Sequence, residues 1–178
     1  MKRSIQKSSS TAANEVAELL ESLFTRLAAF PDRCIWIVSP WVSDIPIIDQ
    51  RFGAVPKLEG LGRRRLALVE VLGTLAENGT TVAIALRDDA INKSVLRRLT
   101  VLAADDRSQG RLLVYPTDKM HHDKTMVGDD FVITGSMNFT ISGTAFNDER
   151  VEYTTDPASV AEARLDLHAR FPGRIDGD

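Results

Sequence analysis

His122 and Lys124 are separated by one residue, and so, a little further on, are Ser136 and Asn138. An imidazole, an ammonium, a hydroxyl and an amide thus recur within a short stretch. The ammonium and the amide are donors suited to phosphate oxygens. A histidine beside a bound phosphate can attack phosphorus or deliver a proton. The chain has no carboxylate cluster at metal-ligand spacing. The expected chemistry therefore rests on fixed cations and donors, with no metal and no cofactor.

These groups must be brought together by strands. HHDKTMV (121–127), the turn Gly128-Asp129-Asp130 and FVIT (131–134) read as a β-hairpin. Side chains alternate along a strand, so His122 and Lys124 point the same way. With the turn near 128–130, facing residue numbers sum to roughly 258. Ser136 then returns beside His122, with Asn138 just beyond it. By the same parity Asp129 faces away from His122, which gives it a structural role.

The rest of the chain supplies a scaffold for this hairpin. Residues 1–13 read as a flexible tail, and helical spacing of Val16, Leu19, Leu20, Leu23, Phe24 and Leu27 gives a helix over 14–30, stopped by Pro31. CIWIV (34–38), TVAIAL (81–86) and RLLVY (111–115) read as buried strands. Residues 42–63 read as a long loop with one short helical turn. Helices are expected over 64–76, ending at Asn78-Gly79, and over 92–104. A last strand over 150–154 precedes a helix over 157–170 with Asp156 as its N-cap. Strands alternating with helices predict an α/β fold: a mixed, mostly parallel sheet with helices on both faces, closed by the hairpin. Sites form at the carboxyl ends of such strands, here Ser39-Pro40-Trp41, Arg87-Asp88-Asp89 and Tyr115-Pro116. Trp41 there can stack a nucleobase or pack as a loop aromatic on the core.

His122-x-Lys124-x4-Asp129 followed by Gly135-Ser136-Met137-Asn138-Phe139 resembles the HKD motif of the phospholipase D superfamily. Asn147-Asp148-Glu149 before the last strand resembles that family too. The likeness implies a phospholipase D-like half-domain over 14–172, between the tail and a C-terminal tail at 173–178. It also implies a mechanism in which two such motifs face each other across a twofold axis. One histidine attacks the phosphodiester, and the other protonates the leaving oxygen and then activates water. His122 carries over as that histidine. Lys124, Ser136 and Asn138 carry over as phosphate-site donors, Asp129 as the motif aspartate, and Glu149 as the carboxylate that orients the histidine. Ser39 and Trp41 are further candidates for substrate contact. Five residues separate Asp129 from Gly135 where the family has six, which implies a tighter hairpin.

The chain has one motif and three histidines; His121 faces away from His122, and His168 belongs to the last helix. A homodimer joined through the motif face would supply the second imidazole. The small single-motif, Nuc-like bacterial nucleases of the family are dimers of this kind. The resemblance extends to DpdK-type phospholipase D-like proteins of DNA-modification and anti-phage defence clusters, and so to protein partners in such a complex.

Composition narrows the substrate. The 178 residues, 43% hydrophobic and 26% charged, suit one globular domain. No apolar run spans a bilayer, no secretory signal is evident, and one cysteine, Cys34, excludes an internal disulfide. A cytoplasmic protein without stable membrane association is the expectation. A net charge of −3 and a pI near 5.7 argue against non-specific coating of nucleic acid. A local patch from Arg63, Arg64, Arg65, Lys93, Arg97 and Arg98 can still guide a nucleic-acid backbone. The leading expectation is a metal-independent nuclease acting on DNA or RNA. The alternatives are a phospholipid phosphodiesterase or transferase, and a non-catalytic subunit of a nucleic-acid-processing complex.

Overall fold

The computed structural model describes residues 2–7, 13–53, 55–118, 123–141, 143–144 and 149–171. In chain order the elements are β1 (Lys2–Lys7), α1 (Ala13–Ala29), β2 (Cys34–Val38), β3 (Pro46–Asp49), β4 (Arg65–Ala67) and α2 (Leu68–Glu77). They continue with β5 (Thr81–Arg87), α3 (Lys93–Ala103), β6 (Leu112–Thr117), β7 (Lys124–Val127), β8 (Val132–Gly135), β9 (Glu149–Thr154) and α4 (Pro157–Arg170). Seven strands form one sheet in the order β1-β9-β8-β7-β2-β5-β6, and β3 pairs with β4 apart from it.

The continuous apolar runs take the central places. All five residues of β2 are buried, between β7 on one side and β5 on the other. Their side chains alternate between two cores. Ile35 and Ile37 of β2 and Val82, Ile84 and Leu86 of β5 join Leu20, Phe24, Leu72, Leu75 and Leu99 from α1, α2 and α3. Trp36, Val38, Ala83 and Ala85 point the other way and meet Val160 and Leu167 of α4 with Phe171. Helices thus cover both faces, three on one and one on the other. His168 belongs to the second core, edge-on to Trp36 with centroids 6.1 Å apart. Cys34 is buried there as well.

Several expectations are corrected. The sheet is mixed but not mostly parallel: β2–β5 and β5–β6 are parallel, while β2–β7, β7–β8, β8–β9 and β1–β9 are antiparallel. Residues 2–7, placed in a flexible tail by composition, are an edge strand along β9 that buries Ile5. The stretch from 42 to 63 holds β3 and a 3-10 helix at Pro56–Leu61. Arg65–Ala67, assigned to a helix, pairs with β3 instead, and α2 starts at Leu68. Two carboxylates fix that start: Asp44 accepts the Val69 amide at 2.9 Å, and Glu70 reaches back to the Ala67 amide at 3.1 Å. Asp156 does cap α4, accepting the Ser159 amide at 2.9 Å.

Candidate functional site

The hairpin forms as expected, one residue out of the expected register. Lys124 faces Gly135, and Val127 faces Val132. Extending that register sets Ser136 opposite Asp123 rather than His122. Gly135 is required by packing: a Cβ there would lie 2.0 Å from the Arg150 carbonyl oxygen on β9. The Ser136 amide donates to that same carbonyl at 3.0 Å, and the Ser136 hydroxyl accepts the Arg150 amide at 3.0 Å. The strand following the hairpin is therefore bound tightly to β9.

Lys124 opens β7 at the end where β2 finishes, because Thr125 faces Val38. The chain beyond β8 bends back over the same end. The Ser43 amide donates to the Phe139 carbonyl at 2.8 Å, and Val42 bridges to Phe139. Asn138 comes to rest with its Oδ1 3.3 Å from the Ser39 hydroxyl. Ser39 is 1% exposed, and its hydroxyl also donates to the Trp41 carbonyl at 2.8 Å. It is buried beneath Asn138, whose side-chain oxygen accepts from it. Gly143 approaches from the far side; a Cβ there would lie 2.3 Å from the Asn138 carbonyl oxygen. Lys124, Ser136 and Asn138 thus share the carboxyl end of the parallel strands.

Glu149 begins β9 at that same end, where its backbone faces Lys7. Asp129 is at the other end of β7. Its carboxylate accepts the Arg33 amide at 2.8 Å and pairs with Arg164 at 2.7 Å. Burial alone would raise the Asp129 carboxyl, but the Arg33 amide and Arg164 outweigh it and hold the group below its ordinary value. Asp129 therefore stabilises the turn and is not brought to Lys124 and Asn138. Trp41 is half-buried with the Arg87 guanidinium 5.9 Å from its ring centroid. His122, His121, Asn147 and Asp148 lie outside the described residues. Among the described residues no three His, Cys, Asp or Glu side chains form a group able to hold a metal ion.

Sequence reasoning missed the group that fixes the loop over residues 39–42. Asn92, fully buried just before α3, donates to the Pro40 and Arg87 carbonyls, each at 2.8 Å, and accepts the Val42 amide at 3.0 Å. Nothing near Asn92 in sequence signals this, because two of its partners lie some fifty residues earlier. Asn92→Ala strands these buried backbone groups and is expected to cost about 2–3 kcal/mol. Urea unfolding followed by circular dichroism measures the loss, and an unchanged midpoint would show that the loop holds itself.

Comparison with known proteins is in keeping with this geometry. Residues 57–170 match the family described as cardiolipin synthase, PLD-like domain. No curated protein sequence matches the chain. Among solved structures, Nuc from Salmonella typhimurium, a phospholipase D family member, superposes with a TM-score of 0.59 at 15% identity, covering 96% of this chain and 93% of that one. NucT from Helicobacter pylori gives 0.60 at 14% identity, with 95% of each chain covered. Phosphatidylserine synthase from Haemophilus influenzae gives 0.64 at 18% identity, covering 95% of this chain and 38% of that one. At these identities the structural matches establish the fold alone.

Proposed function

Since this chain belongs to the phospholipase D superfamily, we propose that it is a metal-independent phosphodiesterase that cuts DNA or RNA as a homodimer. The observation that carries the reading is the placement of Lys124 and Asn138 at the carboxyl end of the parallel strands, next in sequence to the segment that includes His122. A substrate phosphate seated there receives donors from Lys124 and Asn138. The His122 ring nitrogen attacks phosphorus, and the bond to the leaving oxygen breaks. That oxygen takes its proton from the partner subunit's His122. Water then attacks the phosphohistidine and gives its proton to the partner's His122, and the P–N bond breaks. Glu149 orients the histidine in this scheme.

The nuclease reading is supported by the superposition over nearly the whole of Nuc and NucT. No helix among the described residues is long and apolar enough to cross a membrane. A cytoplasmic role in DNA modification or phage defence, with protein partners, fits this reading. The family description and the synthase match favour the second reading, a phospholipid phosphodiesterase or transferase. The test uses the purified chain with end-labelled DNA, end-labelled RNA and phosphatidylglycerol vesicles, all in EDTA. Cleavage of an oligonucleotide by a species that sediments as a dimer is expected. Loss of cleavage on chelation overturns the metal-free mechanism, a monomeric active species overturns the shared site, and product from vesicles alone establishes the lipid reading.

A further inference from the structure

We infer that Arg87, Lys93 and Arg97 form a cationic track leading away from the catalytic end, which holds the part of a single nucleic-acid strand that runs on beyond the cleaved phosphate. The inference rests on the nuclease reading and identifies where the polymer lies. Of the six basic residues that the sequence offers as a patch, the structure removes three from contention. Arg64 is paired with Glu70 at 2.6 Å, Arg65 lies 3.7 Å from Asp49, and Arg98 is paired with Asp44. A phosphate competing for these cations would have to displace a carboxylate that is already in place. Arg63 remains, but its side chain lies against Gly53.

Lys93 and Arg97 have no ion-pair partner among the described residues, and both are exposed. They stand one turn apart on α3, about 6 Å along its axis. That is about two nucleotide steps of 3.4 Å along one strand. Asn92 seats the start of this helix directly on the 39–42 loop through Pro40 and Val42. The track therefore begins beside Trp41, at the mouth of the site. Arg87 closes the gap. It ends β5, its amide donates to the Pro40 carbonyl at 3.2 Å, and its guanidinium lies over Trp41. A guanidinium held against an indole keeps its outward N–H groups for a phosphate, while the ring edge remains beside it for a base. Asp88 and Asp89 occupy the turn between β5 and α3, and Asp89 is engaged by the Ile91 amide at 3.0 Å. Their charge steers a polyanion off the turn and onto the exposed face of α3. The small net negative charge of the whole chain is compatible with so local a track.

The test separates polymer binding from chemistry at phosphorus. A triple substitution, Arg87→Ala, Lys93→Ala and Arg97→Ala, is compared with the wild type and with the paired-arginine control Arg64→Ala, Arg65→Ala. Binding of a short fluorescein-labelled single-stranded DNA is read by anisotropy across a salt series. Turnover of bis(p-nitrophenyl) phosphate is read in parallel. The triple variant is expected to bind the oligonucleotide about tenfold or more weakly at low salt. Its slope of log affinity against log salt should be smaller by about 2, near 0.7 for each lost phosphate contact. Turnover of the small ester stays at the wild-type level, and the control keeps the wild-type slope. An unchanged slope with normal ester turnover overturns the track and leaves the nuclease reading standing. Absence of turnover in the wild type on both ester and oligonucleotide sinks the nuclease reading instead. Weakened binding of phosphatidylglycerol vesicles with unchanged oligonucleotide binding assigns the cations to lipid and overturns the inference.

Discussion

His122→Ala is expected to abolish phosphodiester cleavage, by a factor on the order of a thousand or more, while leaving the fold intact. The double use of one imidazole sets the size of the effect. In the proposed dimer each site uses the imidazole twice, as nucleophile from one subunit and as acid and base from the other. One substitution removes both, whereas in a two-motif chain it would remove one. Initial rates on an oligonucleotide, together with thermal unfolding of the same sample, provide the measurement. Wild-type protein quenched with denaturant during turnover should retain label from a substrate phosphate, and the variant should retain none. Undiminished cleavage by His122→Ala would remove phosphohistidine chemistry from the account. An unchanged cellular phenotype would favour a non-catalytic subunit.

The second large effect concerns stability at the opposite end of the sheet. Asp32 is 6% exposed and binds the Arg26 guanidinium, while its other oxygen accepts the Asp129 amide at 2.7 Å. Its own carbonyl accepts the Thr80 hydroxyl at 2.9 Å, tying the knot to the start of β5. Arg26 extends to Asp130 at 2.5 Å. Asp32→Ala leaves the turn amide without its acceptor and the half-buried Arg26 guanidinium with Asp130 alone, an expected loss of about 2–4 kcal/mol. For a domain of ordinary stability that is a large share of the total. Equilibrium urea unfolding measures it, and a loss below about 0.5 kcal/mol would mean that water replaces the carboxylate at no net cost.

The pH behaviour of this knot follows from two opposed shifts. Burial pushes the Asp32 carboxyl above its ordinary range, against the Asp129 amide and Arg26, which pull it down. A raised carboxyl contributes stability that is present below its unfolded value and is lost as pH rises through the folded one. Asp129 is held low, so its contribution is present above the ordinary value near 3.8 and is lost as pH falls through the lowered one. Acid weakening of the hairpin turn is thus traced to Asp129, and Asp129→Asn should flatten the acid limb of stability against pH.

What the residues revealed in advance was local in origin. The runs in β2 and β5 are apolar enough to be buried on both faces, whereas β6, expected to be buried as well, is the edge strand and buries only Leu112; the spacing of the hairpin residues brings Lys124, Ser136 and Asn138 to one end. Long-range pairing decided the rest. KRSIQK contains one strongly apolar residue and becomes a strand only because β9 offers it an edge. RLA has acceptable helix formers and becomes β4 because β3 lies opposite. Asn92, Asp32 and Gly143 are ordinary residues in sequence. Asn92 and Asp32 matter through partners on distant stretches of chain, and Gly143 through the close approach of Asn138. The parallel share of the sheet was overestimated because the hairpin and β9 bring their own antiparallel pairings, and β1 adds another.

The pairing of β1 with β9 joins stretches about 145 residues apart, so its closure entropy is among the largest in the molecule. During synthesis at roughly 5–20 residues per second, the first strand waits about 7–30 s for its partner to leave the ribosome. Throughout that interval its backbone is solvated or held by a chaperone. Docking of Lys2–Lys7 is then a late step of maturation, completed only after the segment bearing the chemistry has been translated.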